Sequence, residues 1–411
     1  MTEPAQTRVS DVAPVHPRAP RSERRFFELV GPALKNQPLT FLCEDREYRY
    51  GSSAEPTVIR ISDSGVFDRI LTEGNLGLAE CYMDKKVEVV HGSLEHFVVS
   101  LIRADVEKYI RRNPASMAKV AAIHLKNLFR GRNGNVQAHY DVGQDLFDAC
   151  LDESMAYSCG YAYSADDSLA NLQRQKFDRI CKKLRIKPGD RLLDIGCGFG
   201  GLLMHAAKNY GARGTGITLS HVQLKRANEL AAERGVADRV QVLFASHEDL
   251  PPGPFEKVVS VGMFEHLKLS DYPAFFGNIK KVLTEDGMGL VHCIGCATED
   301  NPRDAFTQKY IFPGSRTPTL SEMASHIEHC DMPIHDVENM VRHYAPTARR
   351  WLENFQRNYP KLDHKKYDER FKRLWEYFLS CSAAAATAST GSLWQVLFAN
   401  SHRIDIPFQR V

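Results

Sequence analysis

The sequence predicts an α/β protein: a mainly parallel sheet wrapped by helices, with a smaller α+β domain before it. Three observations predict it. Between Asp190 and Gly295, short apolar strands alternate with helical stretches, which is the pattern of βαβ units. A glycine-rich turn, Gly196-Cys197-Gly198-Phe199-Gly200-Gly201, joins the first of those strands to its helix. From Phe26 to about Val99 the pattern is mixed, and at 411 residues the chain is too long for one ordinary core.

Taken in order, residues 1–25 are rich in Pro and Arg without an apolar core, and read as a disordered arm and not a signal peptide. Residues 26–100 form the small α+β domain. Leu39-Thr40-Phe41-Leu42 and Val58-Ile59-Arg60-Ile61 alternate as strands, Ser62-Asp63-Ser64-Gly65 supplies a turn, and Leu78 to Met83 suggests a helix. Residues 101–135 carry eight Lys or Arg against two acids, with Val120, Ile123 and Leu128 at roughly helical spacing. This basic stretch reads either as a solvated linker helix or as an interfacial helix drawn to anionic headgroups. Residues 136–403 form the larger α/β domain. Its strands are expected at Arg191–Ile195, Thr215–Leu219, Val240–Phe244, Lys257–Val261 and Met288–Ile294. A final antiparallel strand is expected near Trp394 to Phe398, and an insertion at 298–339.

Composition narrows the function. Apolar residues at 43% and charged residues at 25% fit an ordinary folded protein, and a net charge of +2 implies no global attraction to nucleic acid. Ten cysteines without regular spacing fit a reducing cytoplasm. No run approaches the roughly 20 apolar residues of a spanning helix, so a bilayer would be met from outside, at its inner face.

Gly196, Gly198 and Gly201 formally satisfy G-x-G-x-x-G, which raises a dinucleotide site. Two features point instead to S-adenosylmethionine. Asp194 precedes the first glycine by two residues, and the second strand ends in Thr218-Leu219-Ser220 with no acid to grip a dinucleotide ribose. The helix start after Gly200 suits the cofactor carboxylate, and Asp194 suits its ammonium group.

More specific segments surround this loop. They are His139-Tyr140-Asp141-Val142-Gly143, then Tyr157-Ser158-Cys159-Gly160-Tyr161, Met263-Phe264-Glu265-His266, the strand-end His292, and Lys309-Tyr310-Ile311-Phe312-Pro313-Gly314. His343-Tyr344-Ala345, Trp351 and Ser392-Leu393-Trp394-Gln395-Val396 complete the set. In this order they resemble the cyclopropane fatty acid synthase family, which includes mycolic acid cyclopropanating and methyl-branching enzymes. The resemblance runs from about Phe26 to Ser401.

The resemblance implies a class I S-adenosylmethionine-dependent methyltransferase with a Rossmann-like, seven-stranded sheet. It implies that a lipid alkene takes the sulfonium methyl and that a ring closes after loss of a proton. A bicarbonate ion is implied as the base, held by Cys159, Glu265, His292 and Tyr344. The same resemblance assigns cofactor contacts to Tyr157, Ser158, Gly196, Thr218 and Gln223, to which the loop adds Asp194, Gly198 and Gly200. Ser246 and His247 stand at the rim expected to meet the adenine. The implied partner is unsaturated phospholipid at the membrane surface, and the small domain is implied to bind lipid or form a homodimer.

This sequence departs from the family pattern in three places: Ser246-His247-Glu248-Asp249, Lys268, and Ser315-Arg316-Thr317-Pro318. They put the adenine contact and acyl selectivity in question. Cys293-Ile294-Gly295-Cys296, with His326, His329 and Cys330, is too irregular for a zinc site, and no metal is expected. Three functions compete: cyclopropanation, methyl-branch formation on the same alkene, and a catalytically silent lipid-binding protein. Glu265, His292 and Tyr344 weigh against the last.

Overall fold

The computed structural model describes residues 16–111, 143–297 and 304–404, in two compact units. The first gathers the described N-terminal residues with two later segments, Asp304–Pro313 and Asp363–Ala388. Its elements are α1 (Arg21–Leu34), β1 (Leu39–Cys43), β2 (Arg46–Tyr50), β3 (Thr57–Ile61), α2 (Gly65–Glu73), α3 (Asn75–Met83), β4 (Val87–His91), α4 (Leu94–Arg103) and α5 (Val106–Arg111). The four strands form one sheet in the order β2-β1-β3-β4, with β1 and β3 parallel.

Helix α1 begins inside the stretch read from sequence as a disordered arm. Glu23 is the reason: its buried carboxylate accepts from Arg46 Nε at 2.8 Å and from the Tyr48 hydroxyl at 2.7 Å. That pairing depends on a strand two elements away, which local composition does not reveal. The basic stretch lies outside the described residues from Arg112 on, as do His139 to Val142 of the first motif.

The second unit carries α6 (Gln144–Cys150), α7 (Leu169–Lys183), β5 (Arg191–Ile195), α8 (Gly201–Tyr210), β6 (Arg213–Thr218), α9 (His221–Glu233), β7 (Val240–Phe244) and β8 (Phe255–Val261). There follow α10 (Tyr272–Val282), β9 (Leu283–Gly295), α11 (Leu320–His329), β10 (Ile334–Asn339), α12 (Val341–Asn358) and β11 (Ser392–Ala399). Seven strands run in the order β10-β11-β9-β8-β5-β6-β7, parallel from β9 to β7 and antiparallel where β11 meets β9 and β10. The seventh strand, β10, lies within the stretch read as an insertion. Its residues are all only partly buried or exposed, so it lacks the apolar alternation that marks a strand in sequence.

Both sheet faces are covered, which is why β5 and β8 read as nearly continuous apolar runs. On one face Leu192, Val259, Leu290 and Leu397 pack on Phe177, Ile180, Leu202 and Leu203 of α7 and α8. On the other, Leu193, Val258, Val291 and Val396 pack on Phe275, Ile279, Met323 and Ile327 of α10 and α11. Ser168 and Ser220 cap α7 and α9, each accepting a backbone N–H from three residues on.

Candidate active site

The chain leaves β5 for β6 on one side and later for β8 on the other, so the strand order reverses between β5 and β8. In open α/β sheets ligands bind outside the strand C-termini at such a point. Asp194 lies at the end of β5 with the glycine loop after it, Thr218 ends β6, Ser246 and His247 follow β7, and Glu265 follows β8.

The loop is built to come close to something. Gly196, Gly198 and Gly200 all have positive φ, of 79°, 57° and 76°, a region other residues adopt at a cost. A Cβ on Gly196 would meet Met263 at 2.6 Å, whereas one on Gly198 would enter open space. Gly196 therefore packs the loop against the protein, and Gly198 faces the cradle. Behind them Asp194 is buried, and its Oδ1 has no hydrogen-bond partner among the described residues. Burial pushes its carboxyl up to about 7, and only Lys176 opposes this.

Beside the loop, α7 presents two buried polar side chains that the sequence reading missed. Gln173 Nε2 donates to the Ser158 carbonyl at 2.9 Å, and Lys176 Nζ donates to Ser158 Oγ at 2.7 Å. Burial pulls the Lys176 ammonium down to about 8, while Cys159, Asp152 and Asp194 favour its charge. The signal was present in the periodicity: Leu169, Leu172, Gln173, Lys176 and Ile180 share the helical stripe that faces the core. Tyr157 is wedged between Phe147 and Trp351, at ring distances of 5.2 and 5.1 Å. Thr218 Oγ1 donates to Gln223 Oε1 at 2.8 Å. The Ser246 hydroxyl is engaged in its own turn by Glu248 N–H, while His247 Nε2 is buried with no partner among the described residues.

A second set of buried polar groups includes Glu265. Its Oε1 accepts from Ile294 N–H at 3.4 Å, and its Oε2 is buried with no partner among the described residues. Burial pushes this carboxyl up to about 7. His292 lies on β9, where its backbone carbonyl accepts from Gly262 N–H at 2.8 Å. Burial pulls its imidazole down to about 3, with Lys176, Lys183 and His343 acting in the same direction, so the ring is neutral near pH 7. Its Nε2 also has no partner among the described residues. Cys159 is buried with Met340 and Leu393, and Tyr344 packs on that cluster. Burial raises the Tyr344 hydroxyl, and Cys159 and Glu265 push the same way. The Cys159 thiol, pushed up to about 12 by burial, donates to the Gly160 carbonyl at 3.2 Å and is no nucleophile. Trp351 joins the two groups, since it touches both Tyr157 and Tyr344.

Two departures from the family pattern fall differently. Lys268 is exposed, whereas Arg316 N–H donates to the Glu265 carbonyl at 3.1 Å and its guanidinium pairs with Glu322. The altered loop thus rests on the backbone of Glu265. The C-x-x-C thiols are engaged separately, Cys293 against Met323 Sδ at 3.6 Å and Cys296 against the Thr317 carbonyl at 3.2 Å. Among the described residues no group of three or more His, Cys, Asp or Glu is arranged to hold a metal ion.

Residues 130–396 match the family described as mycolic acid cyclopropane synthetase. The chain is 36% identical over 349 residues to the cyclopropane-fatty-acyl-phospholipid synthase of Escherichia coli (strain K12), covering 84% of this chain and 89% of that protein. Among solved structures it is similar to the mycolic acid cyclopropane synthase CmaA1 complexed with SAH and CTAB. That match has a TM-score of 0.60 and 29% identity, over 66% of this chain and 99% of the other. The cyclopropane synthase MmaA2 from Mycobacterium tuberculosis matches with a TM-score of 0.60 and 28% identity, over 64% and 97% of the two chains.

Proposed function

We propose that this chain, which belongs to the mycolic acid cyclopropane synthetase family, builds a cyclopropane ring across a cis double bond of an unsaturated phospholipid acyl chain. It is an S-adenosylmethionine-dependent methyltransferase acting on lipid acyl chains. The observation that carries the reading is a pair of buried polar atoms, Glu265 Oε2 and His292 Nε2, each without a partner among the described residues. Buried polar groups are rarely left unsatisfied, and exceptions call for a function.

The residues present fit the cofactor. Asp194 Oδ1 is buried and unpartnered among the described residues, and the space before Gly198 is open. When bound, S-adenosylmethionine supplies a methyl group on a sulfonium. Asp194 accepts from its ammonium, Ser158 and Tyr157 flank the methionine portion, and Thr218, Gln223, Ser246 and His247 meet the nucleoside. The alkene is a weak nucleophile, so the site must exclude water and hold the double bond in line with the methyl.

The second group fits a small anion. His292 and the Tyr344 hydroxyl hold it as donors, Cys159 closes its apolar side, and Glu265 accepts a proton from it or hydrogen-bonds to it. When bound there, bicarbonate supplies the base that removes a proton from the newly added methyl. A fixed negative charge beside a developing cation, in a water-poor pocket, is also electrostatic stabilisation.

Among the described residues no helix is long and apolar enough to cross a membrane. The basic stretch 101–135 would draw the protein from the cytoplasm to anionic headgroups at the inner face, with the small domain contributing to lipid binding or to a homodimer. Mass spectrometry of lipids from cells expressing the protein tests the function. A gain of one methylene as a ring is expected. A methyl branch or unchanged lipids would overturn the reading.

A further inference from the structure

Gln395 lies directly opposite His292 in the antiparallel pairing of β11 with β9. It is fully buried, and its Nε2 stands 3.3 Å from His292 Nδ1. A glutamine there is out of keeping with its strand, since Leu393, Leu397 and the other residues on its face pack as core. A buried amide is costly unless it satisfies another group, and the group it meets is the imidazole.

We infer that Gln395 is a positioning residue that fixes His292 as the Nε2–H tautomer, so that the ring offers a donor and not a lone pair to an anion beside Glu265. The inference rests on the anion-site reading above. A neutral imidazole has one donor nitrogen and one acceptor. In this orientation the amide nitrogen, which can only donate, faces Nδ1, so that Nδ1 accepts and the ring proton resides on Nε2, while Gln395 Oε1 is buried with no partner among the described residues. Nε2 is the nitrogen left without a partner among the described residues. Turning the amide over would place Oε1 against Nδ1–H and leave Nε2 a lone pair, which repels a carboxylate and a bound anion alike. The backbone holds the ring in register through Gly262 N–H on the His292 carbonyl. A hydrogen-bonded neighbour that orients a metal-bound histidine commonly matters by about tenfold to a hundredfold, and an effect of that order is expected for an imidazole oriented in the same way.

The test is nitrogen NMR on histidine-labelled full-length protein, with His292 assigned by its absence in His292→Ala. In the natural protein the spectrum is expected to show Nε2 protonated and Nδ1 bare. Gln395→Glu offers an acceptor to Nδ1, and is expected to move the proton there and lower turnover on unsaturated phospholipid vesicles by about tenfold or more, with S-adenosylmethionine affinity retained. Gln395→Met, which keeps the bulk and removes both polar atoms, is expected to yield a mixture of tautomers and an intermediate rate. A protonated Nδ1 in the natural protein overturns the inference whether or not any variant folds. So does a tautomer that stays the same in Gln395→Glu. If the tautomer shifts as expected but added bicarbonate alters the turnover of none of these proteins, the tautomer assignment stands and the bicarbonate reading falls.

Discussion

Lys176 reaches from the core side of α7 to place its ammonium 2.7 Å from Ser158 Oγ, where it also offsets the burial of Asp194. An ammonium held in the interior is expensive, and its two neighbours are both proposed cofactor ligands. Lys176→Met is therefore expected to weaken S-adenosylmethionine binding by about tenfold or more, the loss of a charged hydrogen bond. The urea midpoint should fall, because Asp194 loses the cation that offsets its burial and Ser158 Oγ loses its donor. Calorimetry and denaturation on the same sample check both halves, and unchanged affinity would discard the role.

Gly198→Val should fold, with stability lower by about 1–2 kcal/mol for a branched residue at positive φ. Its side chain would fill the open space before the loop, so cofactor affinity should fall by far more than the stability loss suggests. Normal S-adenosylmethionine affinity in the folded variant would show that the cofactor does not lie against this turn.

Glu265→Gln keeps the shape and one acceptor but loses charge and basicity. Turnover on unsaturated phospholipid vesicles should drop by on the order of a hundredfold or more, with cofactor affinity little changed. His292→Ala and Tyr344→Phe should slow the same step. Near-normal turnover in Glu265→Gln, with bicarbonate without effect on any variant, would remove Glu265 from the chemistry.

The raised carboxyl of Glu265 also has a thermodynamic signature. Its value moves from an ordinary 4.5 to about 7 on folding, so between those pH values the folded state holds more protons than the unfolded one. Stability contributed at this position then declines as pH rises. Comparing Glu265→Gln with the natural protein cancels other groups, His292 included, whose lowered value acts in the opposite direction. The melting temperature of Glu265→Gln should gain on that of the natural protein from about pH 4.5 to about pH 7. A constant difference would mean that the carboxyl is not desolvated.

Binding to anionic vesicles should weaken as salt rises, since exposed charges are screened over about 10 Å at 0.1 M. Eight Lys or Arg against two acids in residues 101–135 motivate this expectation. Sedimentation with vesicles of varied charge measures it, and binding insensitive to both salt and lipid charge would leave the stretch as a linker.

Much of this fold was legible because its strands and glycine turn obey local rules. Arg191–Ile195 and Val240–Phe244 stand where apolar runs between helical periods put them. Glu265 and His292 were singled out through motifs, and the structure places both near strand ends. Lys176 was not singled out, and Gln395 stood only within the Ser392–Val396 motif without a role, because a buried polar residue announces itself only against its partner. Ser158 lies 18 positions from the first, and His292 lies 103 from the second. Strand β10 was hidden by its half-exposed side chains, and Glu23 by a partner strand no periodicity links to it.

The first unit draws on the helix Glu369–Thr387 as well as on the N-terminal residues. Tyr377 donates to Asn75 Oδ1 at 2.6 Å, and Thr387 to Glu95 at 3.0 Å. A ribosome releases the chain from its N-terminus, so α3 and α4 emerge long before the helix that buries them. The unit that comes first in sequence is completed only after most of the second unit has been made, and until then its apolar surfaces must be sheltered or remain soluble unaided. A chain truncated before Glu369 would therefore lack part of its first unit, even though it contains every residue up to Arg111.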